Sequence, residues 1–129
     1  TVSKTNKFYS PANKSLYDEK GKDTFRHEQN LIISEKQAVL IMGCGHAGVV
    51  NIMQKAEKYR PCFCIGGFHL FNPFTRKSKG LLDDIVMELQ KYKDTKFYTC
   101  HCTGKAAFDY LSHHMNNIYY ISCGETVEI

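Results

Sequence analysis

Three histidines stand at equivalent places in this chain. His46 follows VLIMGCG, His69 follows CFCIGGF and His101 follows KFYTC, so each leaves an apolar, strand-like run just before a connection toward a helix. In a parallel sheet the carboxyl edge is where ligands bind. Neutral imidazoles are good ligands for zinc, iron and related cations, and the glycines in GCG and IGG let the backbone come close to an ion. Any one of these histidines alone reads as an ordinary loop residue. Three at matching strand ends read as donors to one metal ion.

The first of them lies inside GCGHAG, residues 43–48, which also fits the G-x-G-x-x-G pattern of a dinucleotide-binding loop between a strand and a helix. A phosphate loop needs bare backbone near the anion, whereas an imidazole leaving a strand suits a metal site. A dinucleotide site also wants an acidic residue about 20 positions on, to hold the ribose. Here that neighbourhood is IGGFHL, with His69 where the acid should be. The glycine pattern is therefore incidental to nicotinamide binding, and a cysteine-rich zinc site is the rival metal reading. Cys44, Cys100 and Cys102 lie beside the histidines, but no C-x-x-C pair occurs. In extended backbone Cys100 and His101 point opposite ways, which leaves Cys102 as an outer ligand at most.

The elements that must position these residues follow from hydrophobic period. NLIIS and QAVLIM form a β-hairpin. The segment after GCGHAG places Val49, Ile52, Met53 and Ala56 on one helical stripe, and CFCIGG is a buried strand with Cys62 and Cys64 on one face. A connector, FHLFNPFTRKSK, leads to a second helix with Leu82, Ile85, Val86 and Leu89 inward and Asp83 and Asp84 in its first turn. KFYTC is a strand. A third helix is capped by Thr103 and carries Ala107, Tyr110, Leu111 and Met115 on one side; its late His113 and His114 suit the C-terminal dipole. IYYIS is the last strand. Alternating strands and helices with short connections give right-handed crossovers and a largely parallel α/β sheet, while residues 1–24 are polar and aperiodic, a surface loop or connector.

Composition narrows the function classes. The 129 residues make about one domain. Net charge is +4, with lysines scattered rather than gathered on one helix, and no basic and aromatic residues interleave at a nucleic-acid module spacing. The six cysteines come without a signal-like N-terminal stretch and read as reduced thiols of a cytoplasmic protein. No segment reaches the roughly 18 apolar residues of a membrane span.

GCGHAGVVNI, IGGFHL and CHCTG, in that order and separated by helices, resemble the later motifs of the metallo-β-lactamase superfamily. They are most similar to its branch of dihydropterin ribofuranosylaminobenzene-phosphate synthase-like metal-dependent hydrolases, and FRHEQNLII before the hairpin fits the same branch. The resemblance covers residues 24–124. It implies an αββα sandwich with one or two metal ions at the sheet edges, and a metal-bound hydroxide or metal-polarised substrate oxygen. It matches His46 to the family's mid-chain metal histidine and His101 to the late one. His69 lies where many relatives place a bridging aspartate, a departure that touches the second metal site and ordinary hydrolysis.

The family's H-x-H-x-D-H cluster is absent from these 129 residues. The expectation is therefore a connector at 1–24 and, at 25–129, the C-terminal half of a metallo-β-lactamase-like sandwich from a longer protein. That protein is expected to be a metal-dependent hydrolase-like enzyme acting on a small substrate, phosphorylated or not. Its cofactor is expected to be a divalent metal, zinc first and iron or manganese as alternatives, held in part by His46, His101 and His69. Catalytic residues are unassigned, and this part alone is expected to be inactive. The alternative is a non-catalytic domain binding an anion or nucleotide through GCGHAG; a third is an interaction module with structural histidines. Because three helices cover only one of two apolar sheet faces, the expected partner is the missing half or a second copy in a dimer, with no nucleic acid or membrane.

Overall fold

The computed structural model describes residues 8–70 and 76–129. Residues 71–75 of the expected connector, and the first seven of the chain, lie outside them. After a 3-10 turn at Pro11–Ser15 comes a small ribbon, β1 (Tyr17–Asp18) with β2 (Gly21–Lys22). The hairpin expected from NLIIS and QAVLIM is β3 (Asn30–Ser34) and β4 (Ala38–Met42), paired antiparallel. Three βαβ units follow: α1 (Val49–Ala56), β5 (Phe63–Gly66), α2 (Arg76–Leu89), β6 (Lys96–Thr99), α3 (Lys105–His114) and β7 (Ile118–Tyr120). The main sheet runs β3-β4-β5-β6-β7, parallel from β4 onward.

That order fixes the layers. Each right-handed crossover moves one strand in the same direction, so every helix returns over the same face. Register confirms it: Ile32, Leu40, Cys64, Phe97 and Ile118 pair across the five strands. All five pack in or against one core cluster with Val49, Ile52 and Met53 of α1, Leu82, Ile85 and Leu89 of α2, and Ala107 and Leu111 of α3. The opposite face carries the row Leu31, Ile41, Ile65, Tyr98 and Tyr119, with Tyr98 stacked on Tyr119 at 5.1 Å between centroids. Leu31 is 56% exposed and Tyr119 41%. This is one sheet with helices on one side only, an arrangement matching the expected half-sandwich. Among the described residues, no helix is long and apolar enough to cross a membrane.

Four local expectations need correction. α2 begins at Arg76, so Asp83 and Asp84 sit two turns inside it rather than in its first turn; the basic RKSK stretch is already helical. Thr103 does not cap α3. It closes a 3-10 turn at His101–Thr103, the N-cap is Gly104, and the Thr103 hydroxyl is drawn inward to accept from Phe68 N at 2.9 Å. Cys62 precedes β5 and is half-buried, so only Cys64 behaves as a core residue. Within the first 24 residues, Phe8, Ser10 and Asn13 are buried, so residues 8–13 pack on the fold, while residues 14–22 are exposed like the expected surface loop.

The two sheet faces should respond differently to truncation. Leu40→Ala, in the closed core, should cost about 2–5 kcal/mol, whereas Leu31→Ala on the open face should change stability by about 0.5 kcal/mol or less. Denaturant titration of both variants checks this; equal losses would mean that the outer face is already covered.

Candidate metal centre

The GCGHAG loop leaves β4 with Gly45 at φ +63° and Gly48 at φ +91°. A Cβ on Gly45 would lie 2.6 Å from Gly67 O, and one on Gly48 2.2 Å from Phe8 O. These glycines are needed for backbone-to-backbone packing inside the protein, not for a phosphate. The loop's anion-facing amides are also occupied, because the Glu28 carboxylate accepts from His46 N at 2.6 Å and Ala47 N at 2.9 Å. An internal carboxylate thus takes the place where a phosphate would sit. This removes the basis for the alternative reading of GCGHAG as an anion or nucleotide loop.

Held this way, the His46 ring is fixed on three sides. It stacks on Phe25 with centroids 4.1 Å apart and planes at 8°, meets the His69 ring at 4.0 Å, and its Nδ1 lies 3.0 Å from Asn13 Oδ1. His69 is buried in a left-handed backbone conformation, φ +50°. Such a conformation is uncommon for a residue with a side chain and persists only where its surroundings impose it. The imposing contacts are visible on both flanks. Phe68 N donates to Thr103 Oγ1 and Leu70 N to Cys102 O at 3.0 Å, while Ser10 Oγ donates to His69 O at 2.5 Å. Thr103 is in turn hydrogen-bonded to Thr99 inside the core. His101 opens the 3-10 turn after β6, also left-handed at φ +45°, and is exposed.

The electrostatics favour neutral rings. Burial lowers the His46 pKa, with Glu28 and Asp23 opposing. Burial, followed by the neighbouring charges of His46 and His101, lowers His69 to about 4. His101 follows β6, which runs parallel to β5, so it leaves the sheet at the same edge as His69. The structure thus brings all three sequence-expected histidines to the carboxyl edge of the sheet, with His46 and His69 in ring contact. Among the described residues, however, no group of three His, Cys, Asp or Glu side chains is set to hold an ion by itself. The three imidazoles have the donor chemistry of metal ligands, and burial biases His46 and His69 toward the neutral form.

The cysteines here are packing groups. Cys102 is buried, donates to Cys44 O at 3.4 Å and has its thiol pushed up to about 12, chiefly by burial. Its sulfur would lie 2.3 Å from a Cβ on Gly67, which is why that residue is glycine. His113 and His114 bond back to the carbonyls of Asp109 and Tyr110, as a helix end favours, and His27 is exposed beside Asp23. A cavity of about 480 Å³ opens beside His101, lined by Cys100, Tyr120, Ile121, Ser122 and Cys123. A cleft of about 920 Å³ lies at the opposite edge, around Lys55, Arg60 and Thr95. Its buried Thr95 hydroxyl donates to Pro61 O at 2.7 Å.

Sequence reasoning missed Ser10, Asn13, Phe25 and Glu28. A signal existed for the first two: SPANKS carries a serine N-cap with proline in the first turn, a helix-start signature. For Glu28 and Phe25 the signal is the fit of FRHEQNLII to the family branch, which does not name their roles, because their partners lie about 20 residues away.

Comparison with known proteins completes the picture. No protein-family model matches the chain. A solved structure of Tm1679, a metal-dependent hydrolase of the β-lactamase superfamily, superposes with a TM-score of 0.73 at 30% sequence identity, over 84% of this chain and 43% of its own. An uncharacterized protein of Methanocaldococcus jannaschii, MJ0448, is 33% identical over 94 residues, 72% of this chain and 34% of its own. The same organism's 7,8-dihydropterin-6-methyl-4-(beta-D-ribofuranosyl)-aminobenzene-5'-phosphate synthase is 31% identical over 77 residues, 57% of this chain and 25% of its own. Fold and sequence together place the chain in the metallo-β-lactamase superfamily. Within it, the similarity runs to the dihydropterin synthase-like branch read from GCGHAG, IGGFHL and CHCTG. The chain spans under half the length of the solved relative and about a third or less of the two curated ones.

The His69 shift carries a pH dependence. Its folded pKa of about 4 lies below the ordinary 6.5, so the unfolded chain binds the proton more tightly. The stability associated with its neutral ring is complete above pH 6.5, falls as pH drops toward about 4, and is constant below. The loss should not exceed about 3 kcal/mol. Denaturant midpoints of metal-free protein across this window, compared with His69→Gln, should show the variant with a flatter profile; parallel profiles would sink the assignment.

Proposed function

We propose that this chain is part of a metal-dependent hydrolase-like enzyme of the metallo-β-lactamase superfamily and supplies histidine ligands to its metal centre. The observation that carries the reading is the contact of two imidazoles, His46 and His69, with ring centroids 4.0 Å apart at the sheet edge where His101 also leaves β6. Both rings are biased toward the neutral form that can donate a lone pair. The chemistry such a divalent cation supplies is Lewis acidity toward a substrate oxygen or water. Zinc is the first candidate, since imidazole suits it, with iron or manganese behind it.

The chain's own residues orient rather than react. Phe25 and Asn13 set the His46 ring, Ser10 and Thr103 set the His69 backbone, and the cavity beside His101 offers a mostly apolar wall to a small substrate. Glu28, the carboxylate that reaches the loop, is engaged by two amides and is not a general base. The acid/base group and the remaining ligands belong, in this reading, to the rest of a longer protein. Its sheet would pack on the open row of Leu31, Ile41, Ile65, Tyr98 and Tyr119. The relatives' greater length and the one-sided sheet both support this.

Two measurements test the reading. In the metal-loaded full-length protein, His46→Ala should lower metal affinity by more than the roughly 10- to 100-fold typical of losing an outer-shell partner, with metal content read by elemental analysis. Unchanged stoichiometry and affinity would exclude His46 as a ligand. For the 129-residue chain by itself, sedimentation over a range of concentrations should reveal self-association through the open face, and Tyr119→Lys should weaken it. A concentration-independent monomer would argue against that face as a packing surface.

A further inference from the structure

The Asn13 side chain is completely buried, and its two ends meet different atoms of the same residue, 33 positions away. Nδ2 donates to His46 O at 2.8 Å, and Oδ1 lies 3.0 Å from His46 Nδ1. A carbonyl oxygen can only accept, so the amide nitrogen must face it. With the amide orientation fixed by that bond, Oδ1 is left facing the ring, and it too can only accept. The partner nitrogen must therefore carry the proton. Tyr9, also hydrogen-bonded to Asn13, takes part in the same local network.

We infer that Asn13 is a positioning residue that holds His46 as its Nδ1–H tautomer, so that Nε2 is the nitrogen offered to a ligand. Left alone, a neutral imidazole exchanges between tautomers, and which nitrogen is free is set by the hydrogen bond the other makes. Here the choice is made in the fold and holds without any ion. Phe25 fixes the ring plane, Glu28 fixes the His46 amide, and Asn13 fixes both the carbonyl and the ring proton. The 3-10 turn at Pro11–Ser15 therefore serves the site through Asn13. The consequence for metal affinity rests on the proposed function; the tautomer does not.

The test is direct. In uniformly nitrogen-15-labelled, metal-free protein at a pH of about 8, above the ordinary histidine range, His46 Nδ1 should resonate as a protonated ring nitrogen and Nε2 as an unprotonated one. The reverse pattern, or averaged shifts, would overturn the inference with no variant needed. Asn13→Ala removes the acceptor at the ring and should release the pattern toward a mixture. If Asn13→Ala retains a single Nδ1–H tautomer, Asn13 is not what sets it. In metal-loaded full-length protein, Asn13→Ala should weaken the metal roughly 10- to 100-fold. A correct tautomer in a protein that binds no metal would leave the positioning role intact and remove the hydrolase reading instead.

Discussion

The handedness of a β-strand crossover is the constraint on which this structure depends. From β4 to β7 the chain always steps to the next strand in the same direction, and each step is right-handed. One consequence is that α1, α2 and α3 all lie over the face of Leu40, Cys64, Phe97 and Ile118, leaving Ile41, Ile65, Tyr98 and Tyr119 on the other. The second consequence concerns the ends. Parallel strands finish at the same edge, so whatever follows each strand is delivered to one place. His46, His69 and His101 are delivered to one edge because each follows a parallel strand in three successive repeats of one step, although 55 positions separate the outer two.

Delivery to an edge is not yet a site, and the edge shows what further ordering requires. The loops after β4, β5 and β6 interlock through main-chain atoms: Gly67 N donates to Gly43 O at 2.8 Å, and Leu70 N to Cys102 O at 3.0 Å. Such close approach leaves no room for side chains, and a Cβ at Gly45 or Gly67 would lie within 2.6 Å of the neighbouring loop. It also forces His69 and His101 into left-handed backbone. The buried Thr99 and Thr103 hydroxyls and the Ser10 bond hold that conformation from both sides. Backbone strain at the histidines is thereby balanced by hydrogen bonds buried beneath them.

Much of this was legible in the sequence because it is periodic. Apolar runs of four or five residues separated by helical stripes specified the strands, the parallel sheet and its single covered face, and the shared position of three histidines relative to those runs specified the edge. What escaped was long-range. Asp83 and Asp84 looked like a helix start because RKSKG lacks an apolar stripe, yet α2 runs through it; arginine and lysine are good helix formers and extend the helix ahead of its apolar face without a stripe of their own. Thr103 looked like a cap because threonine before a helix is one, but a buried acceptor for Phe68 N outcompeted the helix end. The strap at residues 8–16 read as a connector because its meaning lies in Phe8, Ser10 and Asn13 touching loops that come 33 to 59 positions later.

GCGHAG illustrates how one distant residue decides what a motif means. By pattern and context it is a phosphate loop: strand, glycines, helix, with amides pointing outward at the helix start. Two of those amides, on His46 and Ala47, instead bind the Glu28 carboxylate from the segment before β3. A carboxylate and a phosphate oxygen make the same demand on backbone N–H groups, so the geometry of the motif is preserved while its ligand becomes internal. Being covalently part of the fold, Glu28 occupies the nest at a high effective concentration, and an external anion would have to leave that carboxylate without its partners. The loop is then free to display the side chain between its glycines. The backbone arrangement that elsewhere cradles an anion is used here to anchor a histidine, and the imidazole becomes the chemically available group.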